Sequence, residues 1–347
     1  MTLKLSICIA TYKRGGFIAQ TLESIVFQLG PDVELLVVDG ASPDDTESVV
    51  ASFLLPGRPL RYVREAVNSG VDGDYDKAVG YASGEYCWLM TDDDLVTPGA
   101  IARVLKALDS GPDLVVVNTQ VCTADFASVL TDRTLPFDGD RSYTGRSDAF
   151  LADVGNHLSF IGGVVVKRSV WMSRERAAYY GTLFIHIGVL FQAPPIGDVK
   201  VIAEPLVRIR YGNAMWTSRG FEIWMFKWPG LIWGFGGYSD AAKASVTVKE
   251  PWRSLKKLVF RRAVGGYSIV EYRQFVAGQV SRAAVVQAWI VARMPGSIAN
   301  GVAALYCLVV DRNAKGSAYD LARCKYSSWV SRVVAWTLGN NRIGRRR

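Results

Sequence analysis

The stretch Gly84-Glu-Tyr-Cys-Trp-Leu-Met-Thr-Asp-Asp-Asp-Leu-Val-Thr-Pro98 organises the reading of this chain. Its apolar run, Tyr86 to Met90, has the length of a buried strand and ends abruptly in Thr91 and three consecutive carboxylates, Asp92, Asp93 and Asp94. Pro98 stands where a following helix can begin. Three adjacent acids at one strand end repel one another, so either a cation offsets them or one carries a proton. A divalent metal meets that need when the ligand is a diphosphate, because the ion neutralises protein carboxylates and phosphate oxygens together. The competing reading is a solvated acidic turn that also caps the next helix.

Outward from this stretch, strands and helices alternate. Leu3 to Ala10 is a near-continuous apolar run, as expected of a parallel strand covered on both faces, and it ends at Thr11-Tyr12-Lys13-Arg14-Gly15-Gly16. Phe17 to Leu29 has helical spacing, and Val33 to Val38 is a second buried strand that ends at Asp39 and Gly40. Ser42 followed by Asp45 resembles a capping box for a helix that turns Val49, Val50 and Phe53 inward. Leu60 to Arg64 reads as a strand, Asp74 to Ala82 as a helix, Leu114 to Thr119 and Phe160 to Val166 as further strands, and residues 121–145 as loop. The alternation predicts an α/β fold with a doubly wound, mostly parallel sheet. In such sheets ligands bind outside the carboxyl ends of the strands, where Tyr12, Asp39 and Asp92 to Asp94 fall. A Gly-rich phosphate loop is absent at the first strand, which argues against an ordinary dinucleotide enzyme or a P-loop ATPase. A nucleotide held here would have its phosphates met by a metal.

Charge divides the 347 residues. Residues 1–210 carry 19 Lys and Arg against 26 Asp and Glu, a net charge of −7, whereas residues 211–347 carry 21 against 6, a net charge of +15. The basic part interleaves aromatic, apolar and cationic residues, as in Phe221 to Phe235, Trp252 to Arg262 and Tyr326 to Leu338, before Arg345-Arg346-Arg347. Its longest apolar stretch, Ser297 to Val310, is short of the roughly 20 residues that span a bilayer. Basic helices with interfacial Trp lie on an anionic membrane surface, and that is the expected partner of residues 216–347. The plainer reading is a helical appendage packed on the catalytic domain or on a second subunit. Nucleic acid is not expected, since no binding module is present and the N-terminal site is acidic. Five cysteines without C-x-x-C spacing suit free thiols in a reducing compartment. The N-terminus enters a strand without a signal peptide's charged and apolar regions, so the expected location is cytoplasmic, peripheral on the inner face of the cell membrane.

Four motifs in order, Ser-Ile-Cys-Ile-Ala-Thr-Tyr-Lys-Arg, Thr-Leu-Glu-Ser-Ile at 21–25, Val-Val-Asp-Gly-Ala-Ser-Pro-Asp-Asp-Thr at 37–46 and the acidic stretch, resemble glycosyltransferase family 2 over about residues 1–215. Within it, the run from Asn68 through Asp72, Asp74, Asp76 and Lys77 to the acids is similar to bacterial O-antigen transferases of the abequosyltransferase type. The resemblance implies a GT-A fold, a nucleotide-sugar donor, a divalent metal (Mn²⁺ or Mg²⁺) and inverting transfer. It further implies Thr11 and Tyr12 at the base pocket, Asp39 accepting from the base, Asp93 on the metal with Asp92 and Asp94 on ribose, metal or acceptor, and Asp72, Asp76 and Lys77 at the donor. Arg210, Asn213 and Trp216 fall where such enzymes cover the diphosphate. The family's usual Asp-x-Asp-Asp begins with Thr91 here, which leaves the division of labour among the three acids open. Lys13 stands where Asn is common.

An inverting transfer needs a base to take the acceptor's proton. The family's Glu-Asp pair is missing from Tyr180-Gly-Thr-Leu-Phe-Ile-His-Ile-Gly-Val-Leu, and His186 occupies the Asp position. A neutral imidazole accepts a proton near pH 7, so His186 is the candidate base, with Asp94 or Asp153 next and His157 structural. The function expected is transfer of a sugar to a lipid-linked oligosaccharide in O-antigen-like lipopolysaccharide synthesis, in a chain that can form homo-oligomers. The alternatives are a soluble transferase acting on protein or a small molecule, and a catalytically dead scaffold that binds nucleotide sugar without turning it over.

Overall fold

A computed structural model describes residues 3–213, 219–311 and 314–340. The chain divides into two compact units, one of residues up to Arg210 with Gly234–Val246, the other of Tyr211–Trp233 with Thr247 onward.

The first unit is built on a ten-stranded sheet in the order β3-β2-β1-β4-β9-β6-β10-β5, with β7 on β6 and β8 on β10. Its strands are β1 (Leu5–Thr11), β2 (Val33–Asp39), β3 (Leu60–Arg64), β4 (Tyr86–Met90), β5 (Leu95–Val96), β6 (Leu114–Cys122), β7 (Val129–Thr131), β8 (Arg141–Tyr143), β9 (Val164–Lys167) and β10 (Val199–Arg210). Strands β3, β2, β1 and β4 pair in parallel, β9 runs antiparallel between β4 and β6, and β10 is parallel to β6. Helices α1 (Gly15–Val26), α2 (Thr46–Ala51), α3 (Gly70–Tyr81), α4 (Ala100–Leu108), α5 (Ser147–Val154), α6 (Arg168–Met172) and α7 (Ile185–Phe191) connect or cover these strands.

Burial explains the continuous apolar runs. All of β2 and β4 is buried, and Leu5, Ile7 and Ile9 of β1 join Val33, Leu35 and Val37 of β2, Trp88 and Met90 of β4, and Ile18, Leu22 and Ile25 of α1 in one core. Gly84 lets the turn before β4 lie on β1, because a Cβ there would stand 2.6 Å from the Ser6 nitrogen. All five cysteines carry free thiols.

Three local expectations are corrected. The segment from Phe160 is not strand throughout, since Ile161–Gly163 is a 3₁₀ turn and β9 starts at Val164. Residues 121–145 contain β7 and β8, short strands that dock on β6 and β10. Ser42 and Asp45 form no capping box, because Ser42 accepts from the Lys13 amide instead and Asp45 makes no side-chain cap to α2.

The second unit is helical. Helix Leu255–Val264 starts at Ser254, whose hydroxyl accepts from the Lys257 amide, and stops at Gly265 in the left-handed region (φ 87°), the conformation glycine adopts at no steric cost. Helices Arg282–Arg293, Gly296–Val309, Lys315–Arg323 and Trp329–Asn340 complete it. One core cluster holds Phe221, Trp252, Leu258 and Tyr267, with Phe221 and Tyr267 stacked at 4.5 Å. A second holds Ala299, Ala303, Ala304, Cys307, Leu321, Val334 and Leu338. Among the described residues no helix is long and apolar enough to cross a membrane.

Candidate active site

The parallel register brings the strand ends together. Thr11 of β1 stands beside Asp39 of β2, and Ile9 pairs with Met90, so the turn that leaves β4 emerges next to Thr11. Asp39 is fully buried; its Oδ1 accepts from the Ser42 amide at 2.8 Å and its Oδ2 from the Tyr62 hydroxyl at 2.6 Å. Burial and this bond raise the Tyr62 pKa, so the phenol stays a donor. Each Asp39 oxygen keeps a lone pair with which to accept from a ligand. Gly40 lets this loop approach α3, where a Cβ would meet Asp74 Oδ2 at 2.5 Å.

The acidic turn lies at the same edge, and its repulsion is answered by Arg14, which the sequence reading passed over. Arg14 Nε is 3.4 Å from Asp92 Oδ1, and Arg14 Nη2 is 3.3 Å from Asp93 Oδ2. Even so, burial pushes the Asp92 carboxyl up to about 7, with the Asp93 charge adding to the rise and Arg14 and the Thr11 hydroxyl opposing it. Asp94 is also raised, first by burial and then by Asp93. Its oxygens accept from the Thr91 hydroxyl at 2.5 Å and from the Arg210 amide at 2.6 Å. Arg14 beside Asp92 and Asp93 and Arg210 near Asp93 and Asp94 do not fully offset three desolvated acids.

A divalent cation fits this donor set. Carboxylate oxygens are hard ligands suited to Mg²⁺ and Mn²⁺, and their raised pKa values show that further positive charge would be favoured. Among the described residues no three of His, Cys, Asp and Glu are grouped so that together they could hold a metal ion. An ion would therefore be held by one or two carboxylates with the rest of its shell left to phosphate and water, as is usual for Mg²⁺ in nucleotide sites.

Arg210 has a different place from the one expected. Its Nε donates to the Asp93 carbonyl at 2.9 Å, Nη1 to the Ala124 carbonyl at 2.5 Å and Nη2 to Gln20 Oε1 at 2.5 Å, while its plane lies over Phe126 at 4.3 Å. With all three nitrogens engaged and the side chain buried, Arg210 clasps the acidic turn and is not presented to a diphosphate.

The turn after β1 is fixed by the loop after β2. The amides of Lys13, Arg14 and Gly15 donate to Ser42 Oγ, Thr46 Oγ1 and Asp44 Oδ2 at 3.0, 3.0 and 3.2 Å. These are the unpaired donors at the start of α1, so the Ser-Pro-Asp-Asp-Thr motif caps the first helix across space and not only its own. Lys13 is held at φ 57°, where a lysine is strained and Asn is tolerated.

On the other side, three residues expected at the donor hold protein. Asp72 accepts from the Leu183 and Ile185 amides at 2.8 and 3.0 Å and so fixes the entry to α7. Asp76 accepts from Trp171 Nε1 at 2.8 Å and the Tyr180 hydroxyl at 2.5 Å and pairs with Arg176 at 2.9 Å. Lys77 pairs with Glu65 at 2.7 Å. His186 of α7 is 2% exposed; its Nε2 lies 2.9 Å from the Leu158 carbonyl and must donate to it, which leaves the lone pair on Nδ1. Nδ1 is buried without a hydrogen-bond partner among the described residues, and burial lowers the pKa to about 4, well below the value near 6.5 assumed from the sequence. His157 bridges Thr134 and the Val117 carbonyl, a structural role. Asp153 accepts from the Tyr143 hydroxyl at 2.7 Å. Tyr12 lies beside Lys13, whose ammonium is 5.2 Å from its ring. Asn213 belongs to the second unit, and Trp216 lies outside the described residues.

Comparison with known proteins bears on this arrangement. Residues 6–154 match the family model described as Glycosyl transferase family 2. Abequosyltransferase RfbV of Salmonella typhimurium is 26% identical over 230 residues, 62% of this chain and 69% of that protein. A GalNAc(5)-diNAcBac-PP-undecaprenol beta-1,3-glucosyltransferase of Campylobacter jejuni is 29% identical over 109 residues, 31% of this chain and only 35% of that protein. Among solved structures, S. aureus TarS 1-349 in complex with UDP-GlcNAc matches with a TM-score of 0.52 over 96% of this chain and 91% of that one, at 13% identity, a likeness of fold.

Proposed function

We propose that this glycosyltransferase, whose residues 6–154 match the Glycosyl transferase family 2 model, moves a sugar, with inversion and with a divalent metal, from a nucleoside-diphosphate donor to a lipid-linked oligosaccharide in the synthesis of a cell-surface polysaccharide. The observation that carries this reading is the convergence of Thr11, Asp39 and the incompletely neutralised Asp92 to Asp94 at one edge of the parallel strands.

Asp39 accepts from the base, and Thr11 and Tyr12 line its pocket. Asp93, with Asp92 or Asp94, would hold the cation. When bound, that ion neutralises charge on the diphosphate as the sugar leaves. Arg14 keeps Asp92 and Asp93 oriented, and Arg210 fixes the backbone that presents them. His186 stands where the family's base is expected, and Nδ1, the nitrogen left with a lone pair once Nε2 donates to Leu158, is its proton acceptor; because that atom is buried, proton transfer from the acceptor hydroxyl requires the cover over it to open. Its low pKa keeps the ring neutral at pH 7, as a base must be, although it also makes it a weak base. The lipid-linked acceptor is supported by the undecaprenol-linked acceptor named for the Campylobacter jejuni relative, and by the basic second unit, which suits an anionic membrane surface.

The test is turnover with a panel of nucleotide sugars and a lipid-linked acceptor. His186→Ala should lose about 10²–10⁴-fold in transfer while donor binding is kept. Transfer near the wild-type rate would place the base elsewhere, with Asp153 or Asp94 next. Binding of nucleotide with no turnover on any donor would favour the scaffold reading.

A further inference from the structure

Helix Gly296–Val309 is built the wrong way round for a helix in water. Gly296, Ala299, Asn300, Ala303, Ala304 and Cys307 face inward, while Ile298, Val302, Leu305 and Val309 face out, each more than half exposed. A surface helix of a soluble protein buries its large apolar residues and shows charge outside; this one contains no charged residue at all. Small residues inside and large aliphatic ones outside is the pattern of helices that pack on protein behind and meet lipid in front. The helix has 14 residues, so at about 1.5 Å per residue it is ~21 Å long, too short to cross a hydrocarbon core of about 30 Å.

Its neighbour repeats the pattern. Helix Trp329–Asn340 packs beside it and turns Val334 and Leu338 into the same core cluster, while Trp329, Val333 and Trp336 stay outside at 72, 52 and 69% exposure. Charge identifies the occupant. No carboxylate occurs between Glu271 and Asp311 or after Asp320, whereas Arg273, Arg282, Arg293, Arg323, Lys325 and Arg332 fall in those stretches. Lys256 stands over the Tyr306 ring at 4.6 Å, at the edge of the first stripe. An apolar surface rimmed mostly by cations, with Asp311 at the end of the first helix paired to Lys256 at 3.9 Å, complements an anionic bilayer: the aliphatic stripe enters the acyl boundary, the tryptophans sit at headgroup depth and the arginines meet lipid phosphates.

We propose that the outward faces of helices Gly296–Val309 and Trp329–Asn340 are the surface that inserts into the anionic leaflet, holding the protein in the membrane plane without crossing it. This rests on the membrane-surface part of the reading above and names the residues that carry it.

The test is flotation of the full chain with vesicles of phosphatidylglycerol and phosphatidylcholine, and with phosphatidylcholine alone. Wild type, a Val302→Ser/Leu305→Ser/Val309→Ser variant and a Trp329→Ser/Trp336→Ser variant are compared, with circular dichroism as the check on folding. All the altered side chains are exposed, so both variants should fold. Wild type should float best with the anionic vesicles, and each variant should partition about tenfold or more weakly, because each loses apolar area that enters the bilayer. An Arg332→Glu variant should lose affinity for anionic vesicles and not for neutral ones. Variants that float as well as wild type would overturn the assignment of this face while membrane association stood. A wild type that floats with neither vesicle would overturn both, and one that sediments as a dimer split by these variants would assign the face to a second copy of the chain.

Discussion

Acid should destabilise this protein in part through His186, and the size of the effect follows from its burial. The ring is held at a pKa of about 4, against an ordinary 6.5, because desolvation disfavours the imidazolium. Between those values the unfolded chain binds a proton that the folded chain refuses. The stabilisation is therefore complete above about pH 6.5 and is lost as pH falls toward 4. At about pH 4.5 the two pKa values give a loss of roughly 2–3 kcal/mol from this residue alone. Other groups titrate in the same range, so the assay is a difference. Urea denaturation of wild type and His186→Gln, whose amide can still donate to the Leu158 carbonyl, is followed at about pH 7.5 and about pH 4.5. Wild type should lose roughly 2–3 kcal/mol more than the variant between the two. Equal losses would refute the claim that the folded protein holds a neutral, desolvated imidazole. The same pKa carries a kinetic consequence: this group should put no acid limb on the transfer rate near pH 6.5, only one closer to 4.

Two further outcomes are expected. Asp72→Ala removes the acceptor shared by the Leu183 and Ile185 amides, so stability should fall by about 1–3 kcal/mol, read as a lower Tm, and amide exchange should quicken in α7 before it does in β1. Gly84→Ala forces a methyl onto the β1 backbone at 2.6 Å from the Ser6 nitrogen and should cost about 1–3 kcal/mol in urea; an unchanged midpoint would contradict the tight approach.

Strands covered on both faces were legible in the sequence because such strands are continuous apolar runs, which is why β1, β2, β4 and the core of β6 match what was read, whereas β3 is an edge strand with Arg61 and Arg64 exposed. Strand β10 was not legible: Glu204 and Pro205 interrupt its pattern, and its register on β6 shifts on both sides of Pro205. At the site, the three acids at a strand end were legible because neighbours in sequence share one turn. The partners that decide their charge were not. Arg14 meets Asp92 and Asp93, and Arg210 reaches Asp93, only because β1, β4 and β10 end at one edge of the sheet. Ser42 and Asp45 misled for the same reason, since the Ser42 oxygen, with those of Asp44 and Thr46, is used by the turn into α1, about 30 positions away. Asp72, Asp76 and Lys77 were assigned by resemblance to the donor, and long-range bonds that no local pattern encodes tie them to α7, Trp171 and Glu65. In the basic third, the length and apolarity of Ser297 to Val310 could be read, but not that its small residues would face the core.

Isothermal titration of UDP, GDP and CDP into wild type and Asp93→Asn, each with and without Mn²⁺, tests the central claim most directly. The account predicts that one nucleotide binds wild type more tightly with Mn²⁺, and that Asp93→Asn folds normally, because Asp93 lies in a strand-end turn, but loses that metal-dependent gain. The same affinity for the same nucleotide in both proteins, with the same response to Mn²⁺, would contradict it.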